Sequence, residues 1–355
     1  MSRKAAALFL IISSLCLILS LVSCREGILI ASYNVENLFD DRWEGSEYAE
    51  YSPEQWSREL YHRKLSAIAR AIKATAARGA DILCFQEVES ELALRELRDR
   101  HLRGFGYRNL VFVTQERVAT GVACLSRIPI VRTRVHTTGS FAGVPLRHIL
   151  ELQLEYEGAT LYLFNNHWKS KTGGVEQTAP ARRQAAEVLT GRLRVILQTD
   201  PEAELIVLGD LNENLDEYDQ AQGRYQIATV PDRDSEIPIG PEETGALFIT
   251  PDPEGAGLRE RRVVMYDPWY ELPPDQRGSS VYQGRWQTPD RILLSHGLFN
   301  QEGLVYSPGS FQVVRAGFLV DSQSGFPRRW RGRGGRGADH GTSDHLPVLL
   351  TIRKR

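Results

Sequence analysis

The sequence predicts a single domain of the α/β class. Short apolar runs typical of buried strands alternate with segments whose apolar residues recur at helical spacing. The 355 residues are 42% hydrophobic and 25% charged, which is the composition of a folded soluble protein and excludes a disordered or collagen-like chain. We find no internal repeat and no clear linker, so one domain over residues 28–355 is favoured over two; the alternation is compatible with parallel or mixed sheets.

The predicted elements follow in order along the chain. A strand at 28–33 precedes a helix that we expect to begin at the capping box Ser52-Pro53-Glu54-Gln55 and to end near Gly79. Residues 213–262 contain five prolines and few apolar runs, so we interpret them as a loop-rich insertion. The remaining predicted strands are 81–85, 119–125, 150–156, 159–164, 205–208, 291–294, 311–314 and 348–352, and the remaining predicted helices are 91–100 and 181–197.

Residues 1–23 are interpreted as a secretory signal peptide. Arg3 and Lys4 precede the uncharged apolar run 5–22, which is the order of a basic start and a hydrophobic segment. The run ends in Leu-Val-Ser-Cys at Cys24, which resembles the lipobox of bacterial lipoproteins. The run is also just long enough to span a bilayer, so an uncleaved anchor is the alternative.

The lipobox resemblance implies an exported, membrane-anchored lipoprotein of a bacterial cell envelope, not a cytoplasmic protein. Cleavage before Cys24 and acylation of that thiol would leave 24–27 as a short lipidated tether. Arg25 does not resemble an inner-membrane retention signal, which favours the outer membrane. Cys84 and Cys124 lie in apolar runs and are predicted to be buried thiols, so no disulfide framework is expected.

Polar side chains cluster after the predicted strands, where an α/β scaffold exposes functional groups. Each residue taken singly has an ordinary structural interpretation, such as a turn former, a helix cap or a buried histidine. Together they supply carboxylate and amide oxygens, which suit Mg²⁺ or Mn²⁺ better than zinc, and two histidines, which suit acid–base work. This combination indicates phosphate-ester cleavage. The residues are Asn34, Glu87, His167, Asp210, Asn212, Asp290, Asp344 and His345.

Six motifs in this order resemble the endonuclease/exonuclease/phosphatase superfamily, in particular its secreted bacterial nucleases. They read Tyr-Asn-Val-Glu-Asn-Leu-Phe from Tyr33, Phe-Gln-Glu-Val-Glu from Phe85, Asn-His-Trp-Lys-Ser-Lys from Asn166, Gly-Asp-Leu-Asn from Gly209, Asp-Arg-Ile-Leu from Asp290 and Ser-Asp-His-Leu-Pro from Ser343. The resemblance implies a two-sheet β-sandwich flanked by helices in four layers. It also implies divalent-metal phosphodiesterase or phosphatase chemistry.

The same resemblance implies a role for each motif residue at the metal and the water. Glu87 would be the main metal ligand, with Asn34 and Asp344 contributing. Asp210 would position or deprotonate the attacking water, so no serine or cysteine nucleophile is required.

The remaining motif residues would act on the phosphate. His345 would contact the scissile phosphate or activate water, and Asp290 would orient it and keep it basic. Asn212 would donate a hydrogen bond to a phosphate oxygen, and His167 would stabilise the phosphate or the leaving group. Glu116 is the candidate carboxylate partner of His167.

Basic residues near these motifs are candidates for binding substrate. Two lysines follow His167, an arginine pair opens the next predicted helix, and segment 326–336 holds five arginines and no acid. Solvated lysines and a basic surface loop are the alternatives. Trp330 in this segment could stack on a base. The residues predicted to bind substrate are Lys169, Lys171, Arg182, Arg329 and Arg331.

The leading hypothesis is a metal-dependent nuclease acting on DNA or RNA and displayed as a lipoprotein. The net charge of −2 does not oppose this, because a total can hide a locally basic surface. One alternative is an enzyme acting on a lipid headgroup such as a phosphoinositide or sphingomyelin, and another is a non-catalytic binding lipoprotein. We expect a monomer and infer no protein partner.

Overall fold

The structure is a computed structural model, and it describes residues 27–45, 48–232, 245–259, 261–331 and 341–355. The predicted signal peptide, the lipidation site Cys24, part of the predicted insertion and residues 332–340 of the arginine-rich segment lie outside the described residues. None of the helices within the described ranges is long and apolar enough to cross a membrane.

The described residues form twenty strands. These are β1 Ile28–Leu38, β2 Ile82–Val88, β3 Asn109–Val113, β4 Gly121–Ser126, β5 Ile130–His136, β6 Ser140–Phe141, β7 Val144–Pro145, β8 Ile149–Tyr156, β9 Ala159–His167, β10 Glu204–Asp210, β11 Thr229–Pro231, β12 Leu247–Thr250, β13 Gly257–Arg259, β14 Arg262–Tyr266, β15 Ser280–Tyr282, β16 Arg285–Gln287, β17 Asp290–Leu294, β18 Leu304–Tyr306, β19 Gln312–Val313 and β20 Val348–Lys354.

The helices in the same part of the chain are fewer and mostly short. The α-helices are α1 Arg58–Thr75, α2 Glu91–Glu96, α3 Val175–Thr199 and α4 Glu217–Ala221. A π-helical segment, Leu97–His101, continues α2, and the 3₁₀ turns are Ala49–Tyr51, Pro253–Gly255, Pro268–Glu271, Pro274–Gln276 and His296–Leu298.

Two mixed sheets carry the fold. The first has the order β18-β20-β1-β2-β4-β3, with β19 also paired to β20; β1 runs parallel to β2 and antiparallel to β20. The second has the order β11-β12-β14-β17-β10-β9-β8-β5, with β13 paired to β14; β10 runs parallel to β9 and antiparallel to β17. The predicted α/β class and two-sheet architecture are confirmed.

The alternation of side chains along β1 explains the layers. Ile28 and Ile30 pack toward β9 and β10 of the second sheet, and the same core cluster continues to α3, which contacts β12, β13 and β14. Leu29, Ala31 and Tyr33 point to the other face and pack with α1 and α2. β1 is a central strand of its sheet. Because it is apolar on both faces, a layer packs against it on each side. The order is therefore helix, sheet, sheet, helix.

Three elements differ from their predictions. Helix α1 begins at Arg58, because Ser57, not Ser52, accepts the capping hydrogen bond from the Leu60 amide. Segment 213–262 is not only loop, since α4 and strands β11 to β14 fall at least partly within it, and the strands extend the edge of the second sheet. Helix α3 begins at Val175, six residues before the predicted start, and contains Pro180.

Candidate active site

The strand register brings the motif residues of the second sheet side by side. Asp210 at the end of β10 pairs with His167 at the end of β9 on one side and with Asp290 at the start of β17 on the other. The first sheet contributes Asn34 and Glu87 from neighbouring strands. His345 bridges to Ser280 just before β20. Residues remote in sequence therefore meet at one end of the sandwich, around a cleft of about 400 Å³.

Asp210 is the buried centre of this cluster. Its Oδ2 accepts a hydrogen bond from Asn34 Nδ2 at 3.0 Å and lies 3.7 Å from His167 Nε2 and 3.9 Å from His345 Nε2. Its Oδ1 accepts from the Asn212 amide at 2.9 Å. Burial raises the pKa of Asp210 to about 6, with repulsion from Asp290 adding to the effect and attraction to His345 opposing it. This carboxylate is therefore poised to exchange a proton near neutral pH.

His345 and Asp290 form a bonded pair. His345 Nδ1 lies 2.7 Å from Asp290 Oδ2, and that same oxygen accepts a hydrogen bond from Ser279 Oγ at 2.5 Å. Burial alone would lower the pKa of His345, but the charge and hydrogen bond of Asp290, with the charge of Asp210, raise it well above the usual value. The pairing with Asp290 therefore favours the imidazolium form of His345, whose Nε2 faces Asp210.

The surroundings of His167 favour the opposite protonation state. It is buried, and burial together with the positive charges of Arg147, His345 and Lys169 lowers its pKa well below the usual value. Its Nε2 lies 3.8 Å from Glu87 Oε1, and its Nδ1 has no hydrogen-bond partner among the described residues. Glu116 is exposed in the loop after β3, and the carboxylates within ion-pair distance of His167 are those of Glu87 and Asp210, so the predicted pairing of Glu116 with His167 is wrong.

Backbone in the left-handed region shapes the ends of the motif strands. Glu36, Asn37, Glu87 and Asn212 have φ angles of 49°, 58°, 64° and 53°. Non-glycine residues adopt such angles rarely, and they cluster at functional sites because the surrounding structure must hold them. Gly209 has a φ of +123°, and a Cβ there would lie 2.0 Å from the carbonyl oxygen of a residue on β9. This close approach requires glycine directly before Asp210.

The oxygen-rich wall of the cleft fits a divalent cation. Glu87 and Asp344 line the cleft, and Glu87 is held by Asn37, whose amide donates to Oε2 at 2.9 Å. Asn34 Nδ2 donates to Glu87 Oε1 at 3.2 Å, and Asn34 Oδ1 accepts from the Glu36 amide at 3.0 Å. In this orientation the amide nitrogen of Asn34 lies between the carboxylates of Glu87 and Asp210. Coordination of a metal by Asn34 would need the amide to rotate and present its oxygen. Hard oxygen donors of this kind suit Mg²⁺ or Mn²⁺.

A second set of possible ligands lies deeper in the cluster. Ligand atoms of Asp210, Asp290 and His345 all lie within 4.8 Å of one another. His345 Nδ1 and Ser279 Oγ both lie at hydrogen-bond distance from one oxygen, Asp290 Oδ2, whereas Asp290 Oδ1 has no partner among the described residues. Because the bond between His345 and Asp290 occupies a ligand atom of each, we interpret this set as a hydrogen-bonded network, and Glu87 and Asp344 remain the candidate metal ligands.

The predicted substrate-binding cations do not all reach the cleft. Lys171 and Arg329 line it, and Lys171 Nζ lies 2.6 Å from Glu217 Oε2. Lys169 Nζ donates to backbone and hydroxyl oxygens of its own loop. Arg331 is exposed and does not line the cleft.

The prediction that Arg182 binds substrate is wrong. Its side chain is fully buried and paired with Glu213, which is also fully buried, at 3.2 Å. It donates further hydrogen bonds to Thr178 Oγ1 and to the carbonyl oxygens of Lys169 and Val175. With every such contact inside the protein, Arg182 is a structural residue.

Three residues of the site were not predicted. Glu36 lines the cleft, and its carboxylate accepts hydrogen bonds from Arg329 Nε at 3.0 Å and the Trp330 amide at 2.7 Å. Lys64 is buried and donates to the carbonyls of Glu36 and Thr342, which ties together two motif loops. Arg147 also lines the cleft. Glu36 lies inside the first motif, and this position is the only feature of the sequence that could have indicated its place in the site.

The sequence was also compared with models of known protein families. Residues 29–227 and 256–354 match the sequence model of the Endonuclease/Exonuclease/phosphatase family. The internal gap between the two matched stretches, 228–255, lies within the segment predicted to be an insertion. No curated protein matches the sequence.

Solved structures share the fold at low sequence identity. Truncated TDP2 from Caenorhabditis elegans is 16% identical with a TM-score of 0.52, over 92% of this chain and 97% of that one. TDP2 from D. rerio, complexed with a single-strand DNA product, is 14% identical with a TM-score of 0.50, over 92% and 99%. A mannosyl-6-phosphatase from Bacteroides thetaiotaomicron is 14% identical with a TM-score of 0.52, over 92% and 99%.

Proposed function

Because the chain belongs to the endonuclease/exonuclease/phosphatase family, we propose that it is a divalent-metal-dependent phosphodiester hydrolase acting on DNA or RNA. The observation that carries the proposal is the position of Asp210. This buried carboxylate lies on the cleft between a neutral histidine, His167, and a protonated one, His345. A general base beside groups that can stabilise developing negative charge is suited to water attack on phosphorus.

The proposed roles follow from the protonation states. Asp210, with a pKa of about 6, takes a proton from the attacking water. His345 already carries a proton, so it cannot act as the base; it stabilises negative charge on the phosphate oxygens instead. His167 is neutral and presents Nε2 toward the leaving group. Asn212 orients Asp210 through its backbone amide and lines the cleft beside it.

Glu87 and Asp344 would hold the cation, with Asn34 after rotation of its amide. A bound Mg²⁺ or Mn²⁺ supplies positive charge to the phosphate oxygens and to the leaving oxygen. Four carboxylates, those of Glu36, Glu87, Asp210 and Asp344, line the cleft, and a bound cation would reduce their repulsion of a phosphodiester, in addition to the charges of Arg147, Lys171 and Arg329.

Support for a nucleic-acid substrate comes from Arg147, Lys171 and Arg329 on the cleft and from the single-strand DNA product in the D. rerio TDP2 structure. One sequence feature favours a second candidate, a lipid phosphoester. Residues 21–24 resemble a lipobox, and we propose that acylation of Cys24 anchors the protein at a membrane of the cell envelope, where headgroups are close.

The test measures turnover of DNA, RNA, a phosphoinositide and sphingomyelin by the purified full-length chain in detergent. Each substrate is offered with Mg²⁺, with Mn²⁺ and with EDTA. We expect nucleic-acid cleavage that needs the metal and that falls by about 10²–10⁴-fold in His345→Ala. His62→Ala is the matched control, because this histidine lies on α1 and does not line the cleft.

Turnover of lipid alone would move the assignment to the second candidate. Turnover of no substrate, or turnover that persists in both EDTA and His345→Ala, would refute the hydrolase assignment. Anchoring has its own readout: labelling with palmitate should be lost in Cys24→Ala, and a variant that still labels would refute the lipid site.

A further inference from the structure

Two grooves leave the cleft on different sides, and they differ in chemistry. The first, which we call the aromatic groove, is lined by Tyr48, Tyr51, Trp56 and Trp330 and has a volume of about 610 Å³. The second, which we call the basic groove, is lined by Lys171, Arg224, Arg285, Tyr225 and Tyr282 and has a volume of about 690 Å³. Both continue directly into the cleft.

The aromatic groove is built from rings that support one another. The ring centroids of Tyr51 and Trp56 are 4.9 Å apart, and those of Trp56 and Trp330 are 6.3 Å apart. Tyr48 packs edge-on against Phe39 at 5.6 Å. Tyr48 is nevertheless 41% exposed and lines both the groove and the cleft. A ring that is fixed at one edge and open on the other side is suited to stacking on a planar group.

The charges of the aromatic groove disfavour a second phosphate. Glu36 and Glu50 line it, and Arg329 is the one cation that lines it among the described residues. Arg329 lies 3.0 Å from Glu36 Oε1 and 3.3 Å from Asp344 Oδ2, so two carboxylates already balance its charge. A phosphate that continued the strand into this groove would meet net negative charge, whereas an uncharged ring would not.

The basic groove has the opposite balance. It carries three cations against two acids, Glu176 and Glu217. Lys171 and Arg224 pair with these acids at 2.6 Å and 3.7 Å. Arg285 is exposed, and no carboxylate in the described ranges lies within ion-pair distance of it. Tyr282, 50% exposed, marks the boundary with the cleft. Cations interleaved with tyrosines are typical of surfaces that follow a single-stranded backbone.

We propose that the site binds the end of a single-stranded nucleic acid. The scissile phosphate lies in the cleft, the unpaired base of the terminal nucleotide stacks in the aromatic groove, and the rest of the strand follows the basic groove. This inference rests on the proposed function and specifies where the strand is cut: cleavage removes nucleotides from a chain end. A paired base could not stack in the groove, so single strands are preferred over duplex.

The experiment compares three substrates with the full-length chain: a short linear single strand, a covalently closed circle of the same sequence, and a small dialkyl phosphate diester, which has no planar ring to stack and is too small to need either groove. We expect the linear strand to shorten stepwise from its end and the circle to react at least tenfold more slowly. Tyr48→Ala should lower kcat/KM for the linear strand by about tenfold and should lower kcat/KM for the small diester by clearly less, because the diester has no ring to stack on Tyr48.

The controls separate stacking from folding. Tyr48→Phe keeps the ring and should retain activity on the linear strand. Arg285→Ser should weaken binding of the linear strand and flatten its salt dependence, whereas Arg132→Ser, an exposed arginine on β5 that lines neither groove, should not. Binding is followed by fluorescence anisotropy in EDTA, so this readout does not depend on catalysis.

The outcomes distinguish the two levels of the proposal. Cleavage of the circle at the rate of the linear strand would overturn the end-binding inference and leave the nuclease assignment intact. An equal loss on the small diester in Tyr48→Ala would overturn the stacking role. Hydrolysis of the small diester without any cleavage or binding of a strand would refute nucleic acid as the occupant of the grooves and would leave the hydrolase assignment intact. Failure on every substrate, with strand binding still dependent on Tyr48, would refute the hydrolase while retaining the groove.

Discussion

Replacing Arg182 by methionine tests whether this residue is structural or binds substrate. The guanidinium is fully buried and bonds Glu213, Thr178 and two backbone carbonyls. Methionine fills much of the volume but leaves Glu213 as a buried charge, held only by the amides and hydroxyl of the segment around Thr229. Breaking a buried pair in this way costs about 3–5 kcal/mol of the free energy of unfolding. With the specific unfolding entropy of a chain of this size, the Tm should fall by roughly 4–7 °C.

The assay is thermal unfolding followed by circular dichroism, with steady-state kinetics at a temperature where both proteins are folded. We expect KM for DNA to stay within about threefold of the wild-type value, because the side chain reaches no substrate. The double variant Arg182→Met/Glu213→Leu should recover part of the lost stability, since no unpaired charge remains. An unchanged Tm together with a KM raised more than about tenfold would refute the structural assignment.

Three further predictions concern catalysis, backbone strain and acid stability. Asp290→Asn removes the charge that keeps His345 protonated, so kcat should fall by about 10²–10⁴-fold and the alkaline limb of the pH–rate profile should move to lower pH; an unchanged profile would contradict the pairing. Gly209→Ala should lower the Tm or prevent folding, because its Cβ would lie 2.0 Å from a β9 carbonyl oxygen, whereas Gly191→Ala on α3 meets open space and should be tolerated, as thermal unfolding of both would show. Burial raises the pKa of Glu151, but hydrogen bonds from Arg192 and His136 outweigh this effect and lower the pKa from 4.5 to about 2. The resulting stability, on the order of 3 kcal/mol, is present above pH 4.5 and lost as the pH falls through 2, so urea denaturation of Glu151→Gln should differ from wild type at pH 7 and converge with it near pH 2.

The sequence predicts the parts of the site that depend on strand ends. Asp210 and His167 each close a short apolar run, and Asp290 opens one, so locating the strands also locates the side chains. The pairing of β9, β10 and β17 then places the three residues in one row. Local pattern is sufficient here because the functional residue and the element that positions it are adjacent in the chain.

Local sequence patterns do not predict contacts between segments that are far apart in the chain. Glu36 meets Arg329 across 293 positions, and Lys64 meets the Thr342 carbonyl across 278. Tertiary packing also overrode a local rule at Ser52, whose capping box is followed by the buried Trp56, with Nε1 donating to the Asp40 carbonyl at 2.7 Å. The helix therefore begins at Arg58, two residues after Trp56.

The two histidines of the site differ in the protonation state that their surroundings favour, and this difference depends on residues that are distant in sequence. His167 and His345 both follow a polar residue in a motif, and nothing local distinguishes their charge. His167 is buried among cations, which favours the neutral form, whereas His345 is bonded to Asp290 and lies near Asp210, which favours the imidazolium. Under the proposed function this difference decides the chemistry. A histidine that is already protonated cannot accept a proton from water, so the base must be Asp210, and the two histidines stabilise charge on opposite sides of it.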